Sequence, residues 1–355
     1  MEMKILMIYI MCIENNSFAC DGKTFVFDGD PNNAISPLSC FFGNLPSVFA
    51  CLTPEQNKYF EGFRIVLKDD LVPNCSCCSE KKEIVIHTGY MEFLWLSIYA
   101  SLSLYLQSPY SRRDSTDEEL QKSCVLTWTE DVLEAQKRCF DIINEASEPW
   151  PECINMPIPT YDVKDGTKAS MASDIMLYGL GFVLLHEMAH KMMTDAGEVN
   201  QGIQHEFHAD IFAIHQYMSD EWLNRCICGN RRNAFGKKMF AMLSVGAMLI
   251  FLDQFRDKPS VSHPSGIRRF HNMLSYDTNI FDLDDEEEYE PNDADFDIRP
   301  SIGYASFVLL TYAQSVLKIN SSELRQLRDQ LVKGSYGSPL DLYIALKKLF
   351  QDNNK

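Results

Sequence analysis

Hydrophobic and polar positions change their period along this chain, and the changes predict its elements. Short runs rich in Val, Ile and Phe at Lys23–Phe27, Phe63–Lys68 and Glu83–Thr88 predict strands. The last two would pair across the loop that carries Cys75, Cys77 and Cys78. From Tyr90 the spacing turns helical: Phe93, Leu94, Ile98, Leu102 and Leu106 recur at helical intervals, as do apolar positions in Glu118–Ala146. Pro149, Pro151, Pro157 and Pro159 then exclude a helix and mark an internal boundary. Four further helical patterns follow at Ala169–Thr194, Gly202–Ser219, Arg232–Phe255 and Ser265–Tyr276. Asp282–Asp297, with ten acidic residues in sixteen, reads as a solvated loop, and Ile302–Leu317, Ser322–Lys333 and Leu340–Gln351 read as closing helices.

The pattern therefore predicts an α+β fold: a mixed N-terminal part with short strands, then a mostly helical part. The expected divisions are 1–150, 151–278, the acidic loop 279–300 and a helical region 301–355. The apolar segment Ile5–Ile13 reads as a strand in preference to a signal core, because its basic flank is one Lys offset by Glu2 and bulky Met11 precedes Cys12. The stretches Phe93–Leu106 and Met239–Leu252 are too short to cross a bilayer, so no membrane span is expected.

Composition narrows the partners. With 46% hydrophobic and 23% charged residues the chain has the composition of an ordinary folded protein, and a net charge of −18 without a basic run argues against nucleic-acid binding. Twelve cysteines spread over 355 residues read as mostly reduced thiols, which makes a cytoplasmic location the expectation. Neither Cys75/Cys77/Cys78 nor Cys226/Cys228 has the paired spacing of a zinc ribbon. Oligomeric state leaves no signature.

The candidate chemistry is concentrated in Leu184-Leu185-His186-Glu187-Met188-Ala189-His190. Residues four apart on a helix differ by about 40° around its axis, so His186 and His190 project together, as two imidazole ligands of one tetrahedral zinc must. Glu187 lies about 100° round from His186, where a carboxylate can take a proton from a zinc-bound water instead of binding the metal. Three protein ligands are required. Downstream, His205-Glu206-Phe207-His208-Ala209-Asp210 offers several donors, among which Glu206 and Asp210 share a helical face. Glu206 is the expected third ligand and Asp210 an outer carboxylate fixing a histidine tautomer, with His205 and His208 as alternative donors. His215 reads as surface or core.

His-Glu-x-x-His, then Glu206-Phe207-His208-Ala209-Asp210, then Ser262-His263-Pro264-Ser265 near Arg268 together resemble the glutamate-zincin metallopeptidases. The likeness spans Gly181–Leu274 and extends to the soluble phage-exclusion (Lit-like) and repressor-cleaving (ImmA-like) proteases. It implies a zincin-like catalytic part, one Zn2+ per chain held by His186, His190 and Glu206, Asp210 behind them, and His263 near the substrate cleft. The implied activity is zinc-dependent endopeptidase action on a protein or peptide, with Glu187 as general base. A non-catalytic, zinc-stabilised regulatory protein and a zinc hydrolase acting on a non-peptide amide are the alternatives. By the same likeness, the segment around Cys153–Tyr161 would offer an edge strand to a peptide.

Overall fold

In the computed structural model, which describes residues 17–20, 23–28, 45–49, 53–107, 130–143, 167–197, 202–218, 231–254, 263–264, 266, 268–270 and 273, the consecutive apolar residues Ile65, Val66 and Leu67 are all buried. They form a strand covered on both faces, which is why hydrophobicity there runs on instead of alternating. The strands are β1 (Ser17–Cys20), β2 (Lys23–Asp28), β3 (Arg64–Lys68), β4 (Cys75–Cys78) and β5 (Glu83–His87). They form one sheet in the order β1-β2-β3-β5-β4. β2 pairs with β3, and β3 with β5, in parallel, with Phe25, Ile65 and Ile84 in register; β1 and β4 flank them antiparallel.

The expected partnership of 63–68 with 83–88 is thus present, but as a parallel pair. Parallel strands need a long crossover. Here the crossover contains β4, which folds back antiparallel on β5 through a turn where Lys82 takes φ 51. The cysteine-bearing segment expected to be a loop is therefore a strand, at the edge of the sheet among the described residues.

Two short helices, α1 (Pro46–Phe49) and α2 (Pro54–Tyr59), lie in the connection from β2 to β3. Thr53 and Gln56 form a reciprocal capping box on α2. The long helices are α3 (Thr88–Gln107), α4 (Glu130–Ile143), α5 (Lys168–Asp195), α6 (Ile203–Tyr217) and α7 (Arg231–Gln254). Phe93, Leu94, Trp95, Leu96, Ile98 and Tyr99 are buried at nearly consecutive positions, as in a helix enclosed on all sides. α3 packs against α4, α5 and α7. Glu92 of α3 is buried with them and accepts from Arg138 Nε at 2.6 Å and Nη2 at 3.1 Å, although burial still raises its pKa.

α5 is the central helix. Its length and composition would suit a membrane span, but that stretch is 72% buried against the sheet edge, α3, α6 and α7, which accounts for its apolar character. Thr167 caps it by accepting from the Ser170 N–H. One hydrophobic cluster joins Phe25, Ile65 and Trp95 to Leu184, Tyr217, Met242 and Phe270. The proposed boundary at 150, the N-terminal apolar segment, the acidic run and the closing helices lie outside the described residues.

The approach to β4 is fixed by contacts at the start of α3. Thr88 Oγ1 donates to the Asp70 carbonyl at 2.8 Å, the Gly89 N–H donates to the same oxygen at 2.8 Å, and His87 Nδ1 pairs with the Asp70 carboxylate. A Cβ on Gly89 would lie 2.2 Å from the Leu71 carbonyl oxygen. Gly89→Ala is therefore expected to push the 69–74 segment away and cost about 1–3 kcal/mol, the usual penalty of overpacking, read from urea unfolding.

Candidate active site

α5 and α6 run antiparallel where they meet, so successive turns pair in reverse order: His186 faces Asp210, and His190 faces Glu206 and His205. Spacing in the sequence makes this possible, since 186 and 190 form one helical stripe and 206 and 210 another. His186 Nε2 lies 3.1 Å from His190 Nε2, and the two carboxylate oxygens of Glu206 divide between them, Oε2 3.4 Å from His186 Nε2 and Oε1 3.4 Å from His190 Nε2. The three donors all lie within 4.8 Å of one another and could hold a metal ion.

Around them is a charged frame. Asp210 is fully buried, with Oδ1 3.0 Å from His186 Nδ1. Arg269 donates to Asp210 from Nε at 2.8 Å and Nη2 at 2.6 Å, and its Nη1 lies 3.6 Å from Glu206. The arginine expected near the site was Arg268. It is exposed, and its neighbour Arg269 is the buried one. Adjacent helical residues diverge by about 100°, so only one of the two can face inward. Gly246 of α7 sets how close this segment comes: a Cβ there would meet Phe270 Cδ2 at 2.6 Å.

Burial penalises Asp210 and Glu206 as anions, but the Arg269 charge and hydrogen bonding to His186 for Asp210, and the His186 contacts followed by Arg269 for Glu206, outweigh it. Both carboxylates are held down to about 2. For His186, burial and Arg269 oppose protonation, yet Asp210 and Glu206 raise its pKa to about 9; burial and the His186 charge lower that of His190 to about 3. Glu187 is different. Burial, reinforced by the negative charge of Glu206, lifts it to about 7 despite His186, Arg269 and a hydrogen bond from the Cys77 backbone N–H.

These residues open on a cleft of about 460 Å³ whose walls include Cys75 and Cys77 of β4, Tyr90 of α3, and Val245 and Leu249 of α7. Cys75, Cys77 and Cys78 are free thiols, and burial followed by the nearby Glu187 charge raises Cys77 to about 12. His263 is half exposed, with Nε2 3.5 Å from Glu206, so it stands at the mouth. His208 and His215 are exposed on other faces of α6. His205, weighed in the sequence as a metal donor, lies instead behind His190, with Nδ1 atoms 3.0 Å apart. Arg269, Tyr90 and β4 were not legible as site components, because nothing in local spacing ties them to residues 186–210.

The helix-borne donor cluster and the adjoining carboxylate line one cleft, and a family comparison gives the class as a peptidase. Residues 84–287, more than half of the chain, match the family model Peptidase U49. The chain belongs to the peptidase U49 family. The match takes in Tyr90, α5, α6 and Arg269 but begins after β4. The chain matches no curated protein and no solved structure.

Proposed function

We propose that this peptidase is a zinc-dependent endopeptidase acting on a protein or peptide in the cytoplasm, with His186, His190 and Glu206 as the metal ligands. The observation that carries the reading is that one ligand atom from each of the three lies within 4.8 Å of the others, with the two histidine Nε2 atoms 3.1 Å apart. Tetrahedral ligands about 2.0–2.1 Å from zinc are separated by about 3.3 Å. Two imidazoles and one carboxylate, which leave a fourth position open, are also a donor set used by catalytic zinc.

Zinc, when bound, supplies Lewis-acid chemistry that acidifies water and polarises a carbonyl. Glu187 is buried in the cleft wall beside the three donors but outside their set, where a carboxylate can serve as general base. It takes the proton of the attacking water and returns it to the departing amine. Asp210 holds the Nδ1–H of His186, leaving Nε2 free for the metal. His263, at the mouth, donates to the developing oxyanion. β4, an edge of the sheet among the described residues and part of the cleft wall, offers backbone groups to an extended substrate. That role was expected of the proline-rich segment, which lies outside the described residues.

Metal content by mass spectrometry tests the site. The purified chain should carry about one zinc, as a single four-coordinate site requires, and His186→Ala and Glu206→Ala should each lose it. A peptide-library digest with the same preparations tests the reaction. Zinc without cleavage would favour a metal-stabilised regulatory protein, and the absence of zinc would remove the reading altogether.

A further inference from the structure

The two histidines of the proposed metal site are held by unlike partners. His186 has the carboxylate of Asp210 behind it, whereas His190 has another imidazole, that of His205. The His190 and His205 rings are nearly parallel, with 18° between planes, centroids 4.9 Å apart and Nδ1 atoms 3.0 Å apart. Both partners, and Glu206 between them, come from α6.

We propose that His205 is a positioning residue for metal binding, accepting the Nδ1–H of His190 and so presenting the His190 Nε2 lone pair to the zinc. The proposal rests on the zinc reading above. It follows from which nitrogen faces the cluster: His190 Nε2 is 3.1 Å from His186 Nε2 and 3.4 Å from Glu206. A neutral imidazole that binds through Nε2 carries its proton on Nδ1, and that proton needs an acceptor. His205 Nδ1 stands at hydrogen-bond distance. To accept, it must keep its own proton on Nε2.

His205 Nε2 is the second observation. It is buried, and among the described residues no group accepts from it. An unsatisfied buried donor costs about 1–3 kcal/mol, so the histidine is poorly explained by the stability of α6 alone. An apolar residue of the same shape would serve packing better. What an imidazole supplies there, and an apolar residue cannot, is an acceptor towards His190.

The test is zinc affinity of the full-length chain, measured by competition with a fluorescent chelator, beside thermal unfolding of the metal-free protein. His205→Phe keeps a flat ring and removes the acceptor. It is expected to weaken zinc binding about 10–100-fold, the usual consequence of losing a ligand's outer partner, without lowering the metal-free melting temperature. His205→Asn restores an acceptor oxygen and should recover much of the affinity, which a purely steric role would not produce. The proposal is overturned if the wild-type chain binds zinc and His205→Phe binds it equally well. It is also overturned if Phe and Asn variants that keep the metal-free melting temperature lose affinity alike. A wild-type chain that binds no zinc overturns the zinc reading itself, a result separable from either of these.

Discussion

Glu187→Gln is expected to retain about one zinc per chain while lowering the cleavage rate about 100- to 10,000-fold, the range spanned by general acid–base catalysis. Glutamine has the shape of the native side chain, and its carbonyl oxygen can still accept the Cys77 N–H. It cannot hold a proton in transit. Glu187 is outside the set of three metal donors, so the site itself should survive. Metal content and single-turnover cleavage of a peptide recovered from the library digest would be measured together. A variant that cleaves at the wild-type rate would sink the general-base assignment. Stability provides an independent reading. In the metal-free protein the folded-state pKa of Glu187 is raised to about 7. Its protonated form therefore favours folding below its unfolded value, and that contribution is lost as pH rises towards and through 7. The Gln variant lacks this titration. It should lose less stability than the wild type between roughly pH 4.5 and 7, the span from an ordinary glutamate to the raised value.

Helices and the two facing stripes of candidate donors were legible because they depend on spacing within a single element. The pattern at Ala169–Thr194 became α5 at Lys168–Asp195, and the four-residue intervals 186/190 and 206/210 became facing stripes. Strand positions were legible for the same reason, since Val- and Ile-rich runs mark burial wherever they occur. Pairing was not. Whether Arg64–Lys68 meets Glu83–His87 parallel or antiparallel depends on the path between them, and that path formed an edge strand from Cys-Ser-Cys-Cys, which has little apolar signature. The position of Arg269 is a still longer-range fact. It depends on Gly246 leaving room on α7 for Phe270, and no local pattern separates it from Arg268. Glu92 and Arg138, buried together across α3 and α4, were hidden likewise, because each would read alone as a solvated charge.

Arg269→Leu should destabilise the metal-free protein by about 3–5 kcal/mol, the cost of removing one partner from a buried ion pair. Leu is close enough in bulk to limit the packing loss, so the effect isolates the charge. Asp210 is fully buried and Glu206 nearly so, and without the guanidinium the two carboxylates would keep only histidine partners among the described residues. Arg269→Lys keeps a charge but cannot reproduce the paired donation from Nε and Nη2, and should recover only part of the loss. Adding Asp210→Asn to Arg269→Leu removes a buried anion left with His186 alone beside it and should restore part of the stability relative to the single variant. Arg268→Ala, at an exposed position, is the control expected to change little. Urea unfolding of the four variants beside the wild type decides the matter. If Arg269→Leu were as stable as Arg268→Ala, Arg269 would not be the counter-charge of this frame. Zinc adds a further contrast: the cation would itself offset Glu206, so the bound metal should reduce the penalty of Arg269→Leu. Asp210 would still lack its arginine, so part of the penalty should remain in the zinc-bound protein.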